Sequence, residues 1–201
     1  MSDHYFTQTP DVKHQRQIHE AVMRGRKLRF ITDSGVFSKT GIDYGSRVLI
    51  ENLHLERDAR VLDVGCGYGP IGISAALVAD AGHVTMIDIN ERAVALALEN
   101  ATLNDVNNVT VLQSDLFEAV LDRRFNAIIT NPPIRAGKAV VHRIFEEGAK
   151  LLEPGGAMWV VIQKKQGAPS AESKLESIFD NVEEVIKDKG YRVFRSIKKP
   201  G

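Results

Sequence analysis

Residues 60–72 read RVLDVGCGYGPIG, from Arg60 to Gly72. An apolar run ending in Asp63 and Val64 is followed by Gly65, Gly67 and Gly69 at alternating positions, and then by Pro70. The apolar run predicts a short buried strand. Alternating glycines let the chain turn sharply and let its backbone come close to a ligand. Pro70 suits the first turn of a helix, where its missing N–H is of no consequence. The stretch therefore predicts strand, glycine loop and helix in succession, with the helix N-terminus offering unpaired N–H groups beside the loop. Gly67, Gly69 and Gly72 also satisfy the G-x-G-x-x-G spacing of dinucleotide sites, although a tight strand-to-helix turn without a ligand meets the same pattern.

The same alternation continues downstream. Apolar, β-branched runs at 83–88 (HVTMID), 109–113, 125–130 (FNAIIT) and 158–163 (MWVVIQ) predict strands, and two last strands fall at 182–186 and 191–197. Helices are expected over 70–80, after Asn90, over 139–152 and over 170–179. Asn90 sits where an N-cap belongs, Glu91 lies in the first turn, and Val94, Leu98 and Ala101 share a helical face. Glu153-Pro154-Gly155-Gly156 predicts a turn. Strands alternating with helices predict an α/β fold, a mostly parallel sheet covered by helices on both faces. Residues 1–55 read as an irregular, aromatic-dotted extension, and residues 56–201 as the α/β domain. The 201 residues fit one domain of ordinary size.

Composition excludes several function classes. Lys and Arg number 26 against 26 Asp and Glu, and 43% of residues are hydrophobic, which excludes a disordered polyelectrolyte. A lone cysteine, Cys66, excludes a disulfide framework and a cysteine-based zinc site. His4, His14 and His19 form no ligand set, so no metal is expected. Apolar runs fall short of the roughly 18 residues of a membrane span. The first residues have no apolar core of a secretory signal, which leads us to expect a cytoplasmic protein.

Ligands of such sheets bind beyond the carboxyl ends of the strands, so the residues after each strand carry the functional reading. Asp88 follows the second strand, with Ile89 beside it, and is placed to accept both hydroxyls of a ribose. The same acid also suits a helix start. Ser114, Asp115 and Leu116 follow the third strand. Asp115 is placed to take an adenine amino group and Leu116 to pack on the ring, although a loop Asp also makes turns of its own. Asn131-Pro132-Pro133-Ile134 follows the fourth strand and is the most informative tetrapeptide. Two prolines fix φ and remove two donors, and each restricts the residue before it. The resulting loop presents the Asn131 amide and the Pro132 carbonyl as acceptors, a pair suited to an exocyclic amino group.

Together these residues resemble the class I S-adenosylmethionine-dependent methyltransferases from about Val48 onward. VLDVGCGYGPIG resembles the family's first motif, VTMID its ribose-binding segment, SDLF its adenine segment and NPPI its amino-methylating motif. The resemblance implies a Rossmann-like fold with seven strands, the last antiparallel. It also implies S-adenosylmethionine as cofactor, held by Asp63, Gly65, Cys66, Gly67, Gly69, Asp88, Ile89, Ser114, Asp115, Leu116 and Asn131. His4-Tyr5-Phe6, SGVFS at 34–38, IDYGS at 42–46, NPPIRAGK at 131–138 and QKKQGAP at 163–169 resemble the small-subunit ribosomal RNA guanine-N2 methyltransferases. More closely, they resemble single-domain relatives that lack an N-terminal domain copy. That resemblance implies methylation of a guanine N2 amino group in 16S ribosomal RNA, with Asn131 and Pro132 catalytic and the 1–55 extension packed on the substrate side.

Ile134 departs from the Tyr or Phe of many amino methyltransferases, which makes Phe37 the candidate to stack on the base. Pro133, Ile134, Arg135, Lys138, Lys164 and Lys165 are the further substrate-binding candidates. Two basic clusters, Lys13 to Arg29 and Lys187 to Lys199, read either as RNA contacts or as solvated faces. Ribosomal RNA or the small ribosomal subunit is the expected partner of a monomer. The main alternative is a protein glutamine N-methyltransferase acting on a release factor or ribosomal protein, which faces the same amide nitrogen problem but typically carries Tyr at the position of Ile134. A non-catalytic RNA-binding or assembly module, a small-molecule methyltransferase and a nicotinamide-dependent dehydrogenase are the others.

Overall fold

A computed structural model describes residues 8–38 and 40–200, which places His4, Tyr5 and Phe6 outside the described residues. The chain forms β1 (Gln17–Met23), β2 (Arg26–Thr32), α1 (Tyr44–Asn52), β3 (Arg60–Val64), α2 (Pro70–Val78), β4 (His83–Asp88), α3 (Glu91–Leu103) and β5 (Val109–Gln113). It continues with β6 (Phe125–Thr130), α4 (Lys138–Leu151), β7 (Leu152–Gln163), α5 (Ala168–Phe179), β8 (Glu183–Asp188) and β9 (Tyr191–Ile197). The large sheet has seven strands in the order β5-β4-β3-β6-β7-β9-β8. Strands β3 to β7 pair in parallel, and β9 runs antiparallel to both β7 and β8. Strand order reverses between β3 and β6, so a crevice opens there at the carboxyl ends of the strands.

Strand alternation explains the two layers. On β3, Val61 faces one apolar core while Leu62 and Val64 face the other. On β7, Trp159 and Val161 join the first core, and Met158, Val160 and Ile162 the second. Helices α1, α2 and α3 cover the first face, α4 and α5 the second. Helix α2 is apolar on every side, because it lies under α1 and α3 as well as on the sheet.

Three expectations are corrected. The described part of the 1–55 segment is not irregular. It holds a seven-pair antiparallel hairpin, β1 and β2, and helix α1. Its turn, Arg24-Gly25, has positive φ at both residues, 49° and 74°, which matches the twist of a two-residue hairpin. Arg is an uncommon first residue for that turn, so the sequence signal was weak. Leu98 is not on the buried face of α3 and is 57% exposed. Ala93, Leu96, Ala97, Asn100 and Ala101 are buried instead, because two asparagines belong to the packed face. The turn predicted at 153–156 is part of β7, with a register irregularity opposite Phe125 and Ala127 and with Gly155 and Gly156 paired to Lys198.

Two asparagines, the buried Asn100 and the half-buried Asn104, join the hairpin to the helix. Asn100 accepts from the Ile31 N–H at 2.7 Å and donates to the Ile31 carbonyl at 2.9 Å. Asn104 does the same with Arg29, at 2.9 and 2.7 Å. Four residues of helix rise about 6 Å and two of strand about 6.6 Å, so two amides one turn apart meet alternate residues of β2. Arg92 adds bonds to the carbonyls of Ser34 and Val12.

Candidate active site

A cavity of about 280 Å³ lies at the carboxyl ends of β3, β4, β5 and β6. Its floor is the glycine loop. Gly65 and Cys66 donate to the Ile87 carbonyl at 2.9 and 3.0 Å, which pins the loop to the end of β4. Gly65 and Gly67 have φ of 72° and 55°, and an added Cβ at either would meet open space. Backbone conformation demands glycine there, and both residues line the cavity.

Asp88 accepts from the Gly67 N–H at 2.8 Å with one oxygen and from the Asn90 N–H at 2.9 Å with the other. Burial raises its carboxyl from its ordinary value, against those N–H bonds. Each oxygen keeps a further lone pair for a ligand hydroxyl. Asn90 caps α3, accepting from the N–H groups of Arg92 and Ala93. Ile89, Ser114, Asp115 and Leu116 line the same end of the cavity. Ser114 also builds its own turn, accepting from the Ala119 N–H and donating to the Leu116 carbonyl.

At the other end stand Asn131, Pro132 and Pro133. The buried Thr130 hydroxyl donates to the Val64 carbonyl at 3.0 Å and fixes the end of β6 against β3. Pro133 then accepts from the Ala136 N–H, closing a short turn. The Asn131 amide nitrogen donates to Ser46 Oγ at 3.0 Å and to Asp43 Oδ2 at 3.2 Å. Asp43 caps α1, and Asp43 and Ser46 both line the cavity. Phe37, 40% exposed, and Val36 complete the wall on this side.

The structure thus gathers most of the candidate residues: Gly65, Cys66, Gly67, Asp88, Ile89, Ser114, Asp115, Leu116, Asn131, Pro132, Pro133 and Phe37 all line one cavity. Gly69 is the N-cap of α2, just behind the loop. Asp63 does not line the cavity. It is buried on the α2 side of β3, and neither oxygen has a hydrogen-bond partner of good geometry. Burial pushes its carboxyl up to about 7, with the Gly72 amide opposing and the Asp88 charge adding. Ile134 does not reach the cavity either. It begins the turn after Pro133 and packs toward α4 and α5, beside Lys138, in a smaller recess of about 110 Å³. Arg135, Lys164 and Lys165 are exposed and off the cavity wall.

Many members of the two basic clusters have partners within the chain. Arg16 pairs with Glu99, Lys27 with Glu20, Arg195 with Glu183, Lys199 with Asp180, and Arg192 with Glu172 and Glu184. Arg24 caps the carboxyl end of α1. Burial pushes the Cys66 thiol up, consistent with a small loop residue. Among the described residues no three His, Cys, Asp or Glu side chains gather as a metal site, and no helix is long and apolar enough to cross a membrane.

Sequence reasoning from the residues alone missed Tyr68, Arg143 and Ile144 on the cavity wall, and the part played by Asp43 and Ser46. Asp43 with Ser46 three residues on is a legible helix start, but nothing in the spacing ties it to a residue 88 positions away.

Comparison with known proteins agrees with this geometry. Residues 27–195 match the model of a family described as Methyltransferase small domain. The chain is 51% identical over 200 residues to the Bacillus subtilis protein YbxB, spanning 98% of this chain and all of that one. It is 33% identical over 180 residues to the ribosomal RNA large subunit methyltransferase G of Pseudomonas putida, covering 85% of this chain. Among solved structures, the T. thermophilus 16S rRNA N2 G1207 methyltransferase in complex with AdoMet and guanosine superposes with a TM-score of 0.82 at 27% identity over 94% of this chain. The chain spans 46% of the Pseudomonas protein and 52% of the T. thermophilus chain, about half of each.

Proposed function

The chain belongs to the methyltransferase small-domain family, of class I S-adenosylmethionine-dependent methyltransferases, and on that premise we propose that it methylates the exocyclic N2 amino group of a guanine in small-subunit ribosomal RNA. The observation that carries the reading is the paired acceptor end of the cavity. Asp43 and Ser46 hold the amide nitrogen of Asn131, which leaves its oxygen as the acceptor, and Pro132 lines the same cavity.

The residues fit the cofactor. The glycine loop gives an open floor, Asp88 retains acceptor capacity at a strand end, and Ile89 and Leu116 supply apolar walls. Gly65, Gly67, Asp88, Ile89, Asp115 and Leu116 would hold it. When bound, S-adenosylmethionine supplies an electrophilic methyl group.

The chain's own task is alignment. A guanine amino group is a poor nucleophile, because its lone pair is delocalised into the ring. Asn131 Oδ1 and the Pro132 carbonyl accept its two hydrogens, which pyramidalises the nitrogen and turns its lone pair toward the cofactor end of the cavity. Both bonds strengthen as positive charge develops on nitrogen, so they favour the transition state over the ground state. Phe37 at the mouth stacks on the base. Arg135, Lys138, Lys164 and Lys165 meet phosphates outside it, and the segment before residue 55 forms the substrate-side wall. A base within a duplex must be extruded to enter.

The test is incubation with methyl-labelled S-adenosylmethionine and unmethylated 30S subunits, 50S subunits, free ribosomal RNA or release factor, followed by nucleoside separation. Label in N2-methylguanosine of 16S RNA is expected. Label in 23S RNA overturns the subunit assignment, label in protein overturns the RNA assignment, and no label in any arm overturns both.

A further inference from the structure

We propose that Asp43 is a positioning residue for methyl transfer: it acts through Asn131, fixing which end of that amide faces the substrate. The inference rests on the reading above and deepens it. An asparagine side chain is nearly symmetric in shape, but its two ends have opposite hydrogen-bonding character. An amide presenting oxygen accepts from an amino group, whereas one presenting NH2 opposes it donor to donor. The loop that carries Asn131 fixes where the side chain lies, and nothing in two adjacent prolines decides which way the amide is turned.

The N-terminus of α1 makes that decision. Asn131 Nδ2 meets two groups there, Ser46 Oγ at 3.0 Å and Asp43 Oδ2 at 3.2 Å. A carboxylate accepts and cannot donate, so it is compatible only with the nitrogen end of the amide. Ser46 alone would not discriminate, because a hydroxyl rotates to donate or accept. Asp43 is itself held in place, since the same Oδ2 accepts from the Ser46 N–H at 3.0 Å as the cap of α1. Gly45 between them cannot be enlarged, because a Cβ there would come within 2.7 Å of the Tyr191 ring. The seat of α1 against β9 therefore sets the position of the carboxylate.

The assignment predicts a division among variants. Asp43→Ala removes the discriminating acceptor and frees the amide to turn over. Asp43→Asn keeps an oxygen able to accept from both the Ser46 N–H and Asn131. Alanine should lower kcat by roughly 10- to 100-fold, the scale of a misaligned reacting group, with cofactor affinity within about threefold. Asp43→Asn should recover most of that loss. In an Asn131→Ala background, Asp43→Ala should lower kcat no further, because the group it acts through has gone.

Side-chain amide NMR of the intact chain supplies a readout without turnover. The Asn131 Nδ2 protons, assigned by their loss in Asn131→Ala, should be protected from solvent exchange in the wild type and in Asp43→Asn, and should lose protection in Asp43→Ala. Equal exchange in wild type and Asp43→Ala overturns the inference, and so do additive losses in the double variant. Absence of RNA methylation by a wild type whose Asn131 amide is protected only when Asp43 is present overturns the substrate reading and leaves this assignment standing.

Discussion

Asn131 and Asp63 are both polar residues at the end of strands in the middle of the sheet, and the structure gives them opposite circumstances. Asn131 is satisfied on its nitrogen side and turned into the cavity. Asn131→Ala is expected to lower kcat by about 100-fold, the scale of removing one preorganised polar contact to developing charge, with the cofactor dissociation constant changed less than threefold by calorimetry. Asp63 is sealed away without a hydrogen-bond partner of good geometry, and its carboxyl is pushed up to about 7 by burial. A carboxyl raised in the folded state keeps its proton there after the unfolded chain has released it. The folded state then binds more protons between about pH 4 and pH 7, and stability falls across that window as pH rises. Thermal unfolding of the wild type should show this decline, and Asp63→Asn should flatten it and melt higher than the wild type at pH 8. The cavity-lining residues at the strand ends were legible because each follows a strand whose apolar run is plain in the sequence. Asp63 was misplaced because strand alternation turns it toward α2 while its neighbours Leu62 and Val64 face the other core. That alternation could have been applied to Asp63 from the sequence.

Among the elements, the parallel strands and their helices were readable, apart from the early start of β7, because most of these strands are unbroken apolar runs. The hairpin was not readable, and of α1 only its start at Asp43 was. Strand β2, RKLRFIT, carries three basic residues on its exposed positions, and the face of α3 it packs on mixes small apolar residues with Asn100. Apolar periodicity finds faces that bury carbon, and here the packed face includes asparagine. Asn100 satisfies both main-chain groups of Ile31 and also the carbonyl of Tyr68 in the glycine loop, at 2.8 Å. Asn100→Ala strands these groups in a fully buried site and should cost about 3 kcal/mol or more in chemical denaturation. Asn104→Ala, at a more exposed position, should cost about 1 kcal/mol. Since Asn100 also reaches the glycine loop, its loss should weaken cofactor binding, whereas Asn104→Ala should leave it unchanged.

For the molecule as a whole, the cavity draws on both the N-terminal segment and the sheet, so a ligand that fills it ties the two together. S-adenosylmethionine at 100 times its dissociation constant should add about 2.7 kcal/mol of stability, read as a rise in melting temperature. RNA binding should depend on exposed charge near the mouth more than on the two outer basic clusters, many of whose members are already paired within the chain. Replacing Arg135, Lys138, Lys164 and Lys165 together should weaken RNA binding and reduce the slope of log affinity against log salt by about 3, at roughly 0.7 per phosphate contact. Cofactor affinity should not change. The charge pairing is a property of the folded surface, invisible to a count of basic residues along the chain. One consequence follows from the joint between hairpin and α3. Asn100 and Asn104 grip peptide groups, which every residue but proline supplies in full, and the grip ignores what residues 29 and 31 carry as side chains. The outward face of the hairpin, Arg29 included, is thereby free to drift toward new surfaces while these bonds stay the same, and a proline at 29 or 31 would break them.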